Sequence, residues 1–147
     1  MRPNPDRTLQ GVAMTLLTDV MREVQTPFGQ SIIGMAAMLT MMVAEEFERG
    51  ADRLVVENAA TRDLLGAGLE VVSEAQKAAI VGALATPAAP NYRGSSLQAE
   101  NDALRAGLIQ LHAMVEQIDS PAARALDARI WEELIESTRR REFSVRV

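Results

Sequence analysis

The stretch Leu54-Val55-Val56-Glu57-Asn58-Ala59-Ala60-Thr61-Arg62-Asp63-Leu64-Leu65 recurs downstream as Leu97-Gln98-Ala99-Glu100-Asn101-Asp102-Ala103-Leu104-Arg105-Ala106-Gly107-Leu108. Leu, Glu, Asn, Ala, Arg and Leu repeat at six of the twelve aligned positions. The second copy sits in a heptad, with Leu97, Leu104, Leu111 and Ile118 at d and Asn101, Leu108 and Val115 at a. The first copy puts Ala44, Ala51, Asn58 and Leu65 at a and Phe47, Leu54 and the weaker Thr61 at d, and Gly68 ends the seam. Apolar residues recurring in this way mark helices that pair along coiled-coil-like seams.

The polar positions set the expected direction of pairing. Asn58 and Asn101 fall at a, where a buried amide costs stability but fixes register because it must find a polar partner. Glu57 and Glu100 fall at g, and Arg62 and Arg105 at e. In a parallel pair a g residue meets the e residue five positions later on its partner, so Glu faces Arg. Antiparallel pairing sets like charges together. Two arrangements satisfy this. Either a returning third helix leaves the second and fourth helices parallel within one chain, with Asn58 opposite Asn101, Glu57 facing Arg105 and Glu100 facing Arg62, or each copy meets its own mate in a homodimer. The competing explanation is coincidence among common helix formers. Two copies are too few for a solenoid.

Working outward, the 147 residues suit a single helical domain over 1–147. Aromatics are 3% and the apolar mass is Ala, Leu, Val, Ile and eight Met, a composition that favours helix over sheet. The expected fold is all-α, a bundle of about five helices including one long central helix, with parallel seams. Asn4-Pro5 starts a helix over about 5–25, and Thr26-Pro27 breaks it. The second helix runs from about 28 to 65. Its part from Ile32 to Ala44 is apolar nearly all round, which predicts burial on most sides; whether it continues through Gly50 is open. Gly66-Ala67-Gly68 predicts a break before a third helix over 69–85. Pro, Gly, Asn and Ser mark 86–95 as a loop. Ser95 and Gln98 have capping-box spacing ahead of a fourth helix, 96–119, and Ser120-Pro121 opens a fifth, 121–141. The tail from Phe143 to Val147 alternates like a strand but is short.

Charge and residue usage narrow the function classes. A net charge of −5 argues against general nucleic-acid binding. The absence of Cys removes disulfides and thiolate metal sites. The apolar run is shorter than a membrane span, and the N-terminus lacks a signal-peptide pattern, so no membrane span and a cytoplasmic location are expected. Lys77 is the only lysine among many arginines, the usage of a GC-rich bacterial genome.

Candidate chemistry is sparse. His112, the single histidine, has Ile109 where a Glu-x-x-His di-iron motif needs Glu, and reads as a residue flanking the seam. Glu45, Glu46, Glu48 and Asp52 are interleaved with Arg49 and Arg53, which reads as a salt-bridged face. Met35, Met38, Met41 and Met42, with Met14 and Met21, could line an adaptable apolar pocket, though core filling is the plainer reading. Arg139-Arg140-Arg141 reads as a solvated run complementing the helix dipole. Trp131 and Tyr92 are interface candidates. The pairing seam is Leu54, Glu57, Asn58, Arg62, Leu65, Leu97, Glu100, Asn101, Leu104, Arg105, Leu108 and Leu111.

These readings point to an association protein rather than an enzyme: a homo-oligomer, expected as a dimer, serving as an accessory or scaffold subunit of a bacterial complex. No catalytic residue, metal or cofactor is expected. The alternatives are a bundle holding a small apolar ligand in its Met-rich core, and an all-helical carboxylate–metal enzyme.

Overall fold

A computed structural model describes residues 4–144. The described residues form five helices and no strand. The first, α1, is Pro5–Thr15, carried through a π turn, Leu16–Val20, into Met21–Glu23. It is followed by α2, Pro27–Gly68; α3, Glu74–Leu84; α4, Gly94–Val115; and α5, Pro121–Arg140. Residues 145–147 of the alternating tail lie outside the described residues. The helices belong to two compact units, one holding the residues up to Gly50 with Phe143 and Ser144, the other Ala51–Glu142.

Several boundaries differ from expectation for identifiable reasons. Helix α2 is continuous through Gly50, since a glycine without a neighbouring proline weakens a helix by only about 1 kcal/mol. It also runs past Gly66 to Gly68. Leu111 lies over Gly68 so closely that a Cβ there would stand 2.6 Å from Leu111 Cδ1, and this contact holds the last turn. Residues Leu69–Val72 form tight turns instead of helix, with Val71 and Val72 N–H donating to Gly68 O. The capping box falls at Ser73 and Gln76, where it opens α3. The expected box at Ser95 and Gln98 is absent, because α4 already starts at Gly94 with Arg93 as its cap. At α5, Ser120 Oγ accepts from Ala123 N–H behind Pro121, as the sequence predicts.

The Ala51–Glu142 unit carries the core. Leu65, Leu104, Leu108, Leu111, Ile80 and Ile130 bury their side chains together. The pairing of α2 with α4 is parallel. Asn58 meets Leu97 and Asn101, Leu65 lies near Gly107, and Gly68 lies under Leu111, so the two helices advance together. A Cβ on Gly107 would stand 2.3 Å from Ala83 Cβ, so glycine is what lets α3 lie against α4.

The other unit is built the opposite way. Helix α1 runs antiparallel to the first half of α2, with Met21 against Gly34 and Met14 beside Met41. Its buried hydrophobic residues are Ala13, Ala37 and Ala44. The expectation that Ile32 to Ala44 is buried on most sides is corrected: Ile32, Met35, Leu39 and Val43 face solvent. Phe47, expected at a seam d position, is 59% exposed. One partner helix covers one face of this part of α2, where Ala37 and Ala44 are buried and Ile33, Met38, Met41 and Met42 are half-buried.

Gly107→Ala is expected to lower unfolding stability by about 1–2 kcal/mol in urea, since overpacking outweighs the helix-propensity gain. Adding Ala83→Gly should recover most of the loss.

Candidate functional site

The centre of the α2–α4 seam is polar. Asn101 Nδ2 donates to Asn58 Oδ1 at 2.8 Å, and Asn58 Nδ2 donates to Leu97 O at 3.2 Å. Asn101 is fully buried, and its Oδ1 has no hydrogen-bond partner among the described residues. Heptad spacing on both helices brings the two amides to one level.

Buried carboxylates flank this pair. Arg62 donates to Glu100 Oε1 through Nε at 3.1 Å and Nη2 at 2.8 Å. The same guanidinium donates to Leu84 O, an orphan carbonyl at the end of α3, and to Thr86 O in the loop that follows. Ala89 N–H donates to Glu100 Oε2 at 2.8 Å, which ties the α3–α4 loop to the seam. Glu57 is 2% exposed. Arg141 grips it in a bidentate fork, Nε to Oε1 at 3.1 Å and Nη2 to Oε2 at 2.6 Å, and Ser137 Oγ donates to Oε1. Arg105, the partner expected from the heptad, stands at 3.9 Å.

The Arg139-Arg140-Arg141 run is therefore engaged within the chain. Arg139 pairs with Glu136, Arg140 with Glu133 and Arg141 with Glu57. Sequence reasoning missed the Arg141 contact because the two residues are far apart in the chain and helix-end arginines are ordinarily solvated.

Burial pushes the Glu57 carboxyl up, but Arg141, Ser137 and Arg105 outweigh it and hold it below the ordinary glutamate range. Burial likewise opposes Arg62, Ala89 N–H and Asn58 at Glu100, and again the partners prevail. Glu133 behaves differently: burial raises it, and Arg140 offsets this only in part.

Other sequence candidates scatter. The Ser144 hydroxyl and N–H bind Glu45, with distances of 2.7–3.1 Å, and Arg49 pairs with it too. Those Ser144 bonds hold Glu45 below the ordinary range against burial. Met41 lines an open cleft of about 430 Å³ with Met14, Asp6, Glu45 and Glu48. Met35 is exposed, and Met38 and Met42 are half-buried. Tyr92 is exposed beside a second cleft of about 410 Å³ whose lining includes Asn58, Arg62 and Glu100. Trp131 meets His112 edge-on, with ring centroids 5.3 Å apart.

A run of exposed apolar side chains lies on α2. Phe28, Ile32, Met35, Leu39, Val43 and Phe47 follow one another at intervals of three or four residues, all exposed, and Phe28 is 77% exposed. Within α2 an 18-residue window has a mean hydropathy of 1.4 and is 11% buried, long and apolar enough to cross a membrane by those measures alone. Comparison with protein-family profiles, with curated proteins and with solved structures returns no match.

Arg62→Ala is expected to cost about 3 kcal/mol of unfolding stability, because it strands the buried Glu100 carboxylate and the Leu84 and Thr86 carbonyls. Arg141→Ala should cost about 1 kcal/mol, since that arginine is 45% exposed and water screens the pair. Chemical unfolding of both variants checks the order.

A separate expectation concerns pH. Depressed carboxyls at Glu57 and Glu100 stabilise the fold fully above the unfolded-chain value of about 4.3. That contribution disappears as pH falls through their lower folded values. The raised Glu133 acts in the opposite sense, its cost being relieved as pH falls. Unfolding free energies measured from neutral to acid pH should decline on the acid side, and the double variant Glu57→Gln/Glu100→Gln should flatten that decline.

Proposed function

We propose that this chain works by association, as a homo-oligomeric accessory or scaffold subunit, with a second copy of itself covering the Phe28–Phe47 stripe. The observation that carries the reading is the exposed Phe28–Phe47 stripe on a unit whose fully buried hydrophobic residues are Ala13, Ala37 and Ala44. The paired Leu54–Leu65 and Leu97–Leu108 segments are satisfied within the chain, so the dimer face moves from that seam to the stripe.

The stripe is about 29 Å long at helical rise. Its six large side chains leave on the order of 600 Å² of apolar surface, the upper end of what a monomer ordinarily exposes. A standard interface buries about 800 Å² per partner, so the stripe supplies most of one side. Its spacing is that of a helix-pairing seam. No charged residue lies between Pro27 and Ala44, so two copies can meet face to face without like-charge repulsion. A bilayer fits the unit less well. The uncharged part of α1, residues 8–18, covers only about 16 Å, against roughly 30 Å of hydrocarbon. Glu45, Glu46 and Glu48 at the end of the apolar run also repel anionic headgroups.

Light scattering coupled to size exclusion should give a dimer at micromolar concentration. Leu39→Glu, which inserts a charge mid-stripe, should weaken dimerisation by about 100-fold or more, while circular dichroism stays helical. A strict monomer would sink the proposal, and so would a chain that ignores its own copies but partitions onto neutral phosphatidylcholine vesicles.

A further inference from the structure

The α4–α5 hairpin carries a cluster that neither the polar layer nor the apolar stripe uses. His112 lies in the last turn of α4 and Glu116 one turn on, at its C-cap, and Asp127 faces them from α5. His112 Nε2 lies 2.8 Å from Asp127 Oδ1 and 3.8 Å from Glu116 Oε1. One donor atom from each of the three lies within 4.8 Å of the others. We propose that these residues form a binding site for one divalent transition-metal ion of the zinc class, bridging α4 and α5.

The chemistry fits that class. One imidazole nitrogen and two carboxylate oxygens suit zinc and its neighbours better than calcium or magnesium, which favour all-oxygen shells. Around a tetrahedral zinc with bonds of about 2.0–2.1 Å, ligand atoms stand roughly 3.3 Å apart. The His112–Asp127 and His112–Glu116 separations bracket that spacing and the third pair lies within 4.8 Å, so side-chain adjustments without backbone movement would admit the ion. Glu116 has 54% of its side chain exposed, which leaves ion entry and a fourth, water-filled position open. Helical geometry preorganises both halves. The i,i+4 spacing puts His112 and Glu116 on one face of α4. The same spacing puts Asp127 and Trp131 on one face of α5, where the Trp131 ring meets the imidazole edge-on and limits its rotation. The ligands missing at position 109 come from one turn onward and from the next helix.

This inference is independent of the association reading, and its test is unusually direct. The chain has one histidine and no cysteine, so in a tag-free protein a single imidazole reports on the site. Zinc chloride titrated into the wild-type chain should bind with one equivalent by calorimetry and shift the His112 ring resonances in step. Magnesium at the same concentrations should leave the ring unchanged. His112→Ala should weaken zinc binding by about 100-fold or more, and Asp127→Asn by about tenfold or more. Ring resonances that do not move under excess zinc would overturn the proposal whether or not the variants fold. Binding of equal strength in a folded His112→Ala would overturn it as well, by assigning the zinc to scattered surface carboxylates.

Discussion

Asn58 and Asn101 meet in the middle of an apolar seam, and the arrangement of the Ala51–Glu142 unit depends on that meeting. A buried amide without a partner costs more than its hydrogen bond is worth in net stability, so the constraint acts mainly against alternatives. Sliding α4 by one heptad would set Asn58 against Leu108 and Asn101 against Ala51, or, in the other direction, Asn58 against Gly94 and Asn101 against Leu65. It would also carry Glu100 away from Arg62 and from the loop N–H it accepts. The apolar side chains around Leu65, Leu104 and Leu111 supply the driving force for packing. The polar layer decides which of several equally apolar registers is occupied.

The two carboxylates beside the asparagines extend this control to the rest of the unit. Glu100, through Arg62 and Ala89, fixes the end of α3 and the loop that follows. Glu57, through Arg141 and Ser137, fixes the far end of α5. Buried ion pairs of this kind add little net stability over apolar replacements, because desolvation consumes most of the Coulombic gain. Losing Arg62 is costly all the same, since Glu100 is left charged and dry, whereas Glu57 keeps Ser137 and Arg105 when Arg141 is lost. Helix ends that would otherwise fray are thus tied to the centre of the seam by contacts that tolerate few substitutions.

The first unit follows a different logic. Its fully buried hydrophobic residues are alanines, and Leu16, Leu17, Met21, Ile33 and Met41 are only half-buried, so the hairpin gains little from its own interior. Its large side chains are directed outward along one stripe. The proposed second copy would cover that stripe and add the apolar burial the interior lacks. The Leu54–Leu65 and Leu97–Leu108 repeat is paired inside the chain.

The sequence by itself determined that the chain is helical, where the first and last helices start, and which side chains share a face. Those properties depend on neighbours within a few residues: Pro27, Ser120-Pro121, the heptads and the Asn–Glu–Arg pattern. It also limited the seam to two parallel arrangements. Tertiary structure alone decided between them, because pairing within the chain depends on α3 returning along α4, which Gly107 permits by leaving room for Ala83. It alone revealed that Arg141 reaches Glu57, that His112 finds Asp127 on the next helix, and that the apolar run of α2 is uncovered. Periodicity tells which residues lie together on a helix. Whether a face meets protein or solvent depends on what other helices are left to cover it, and no local spacing encodes that.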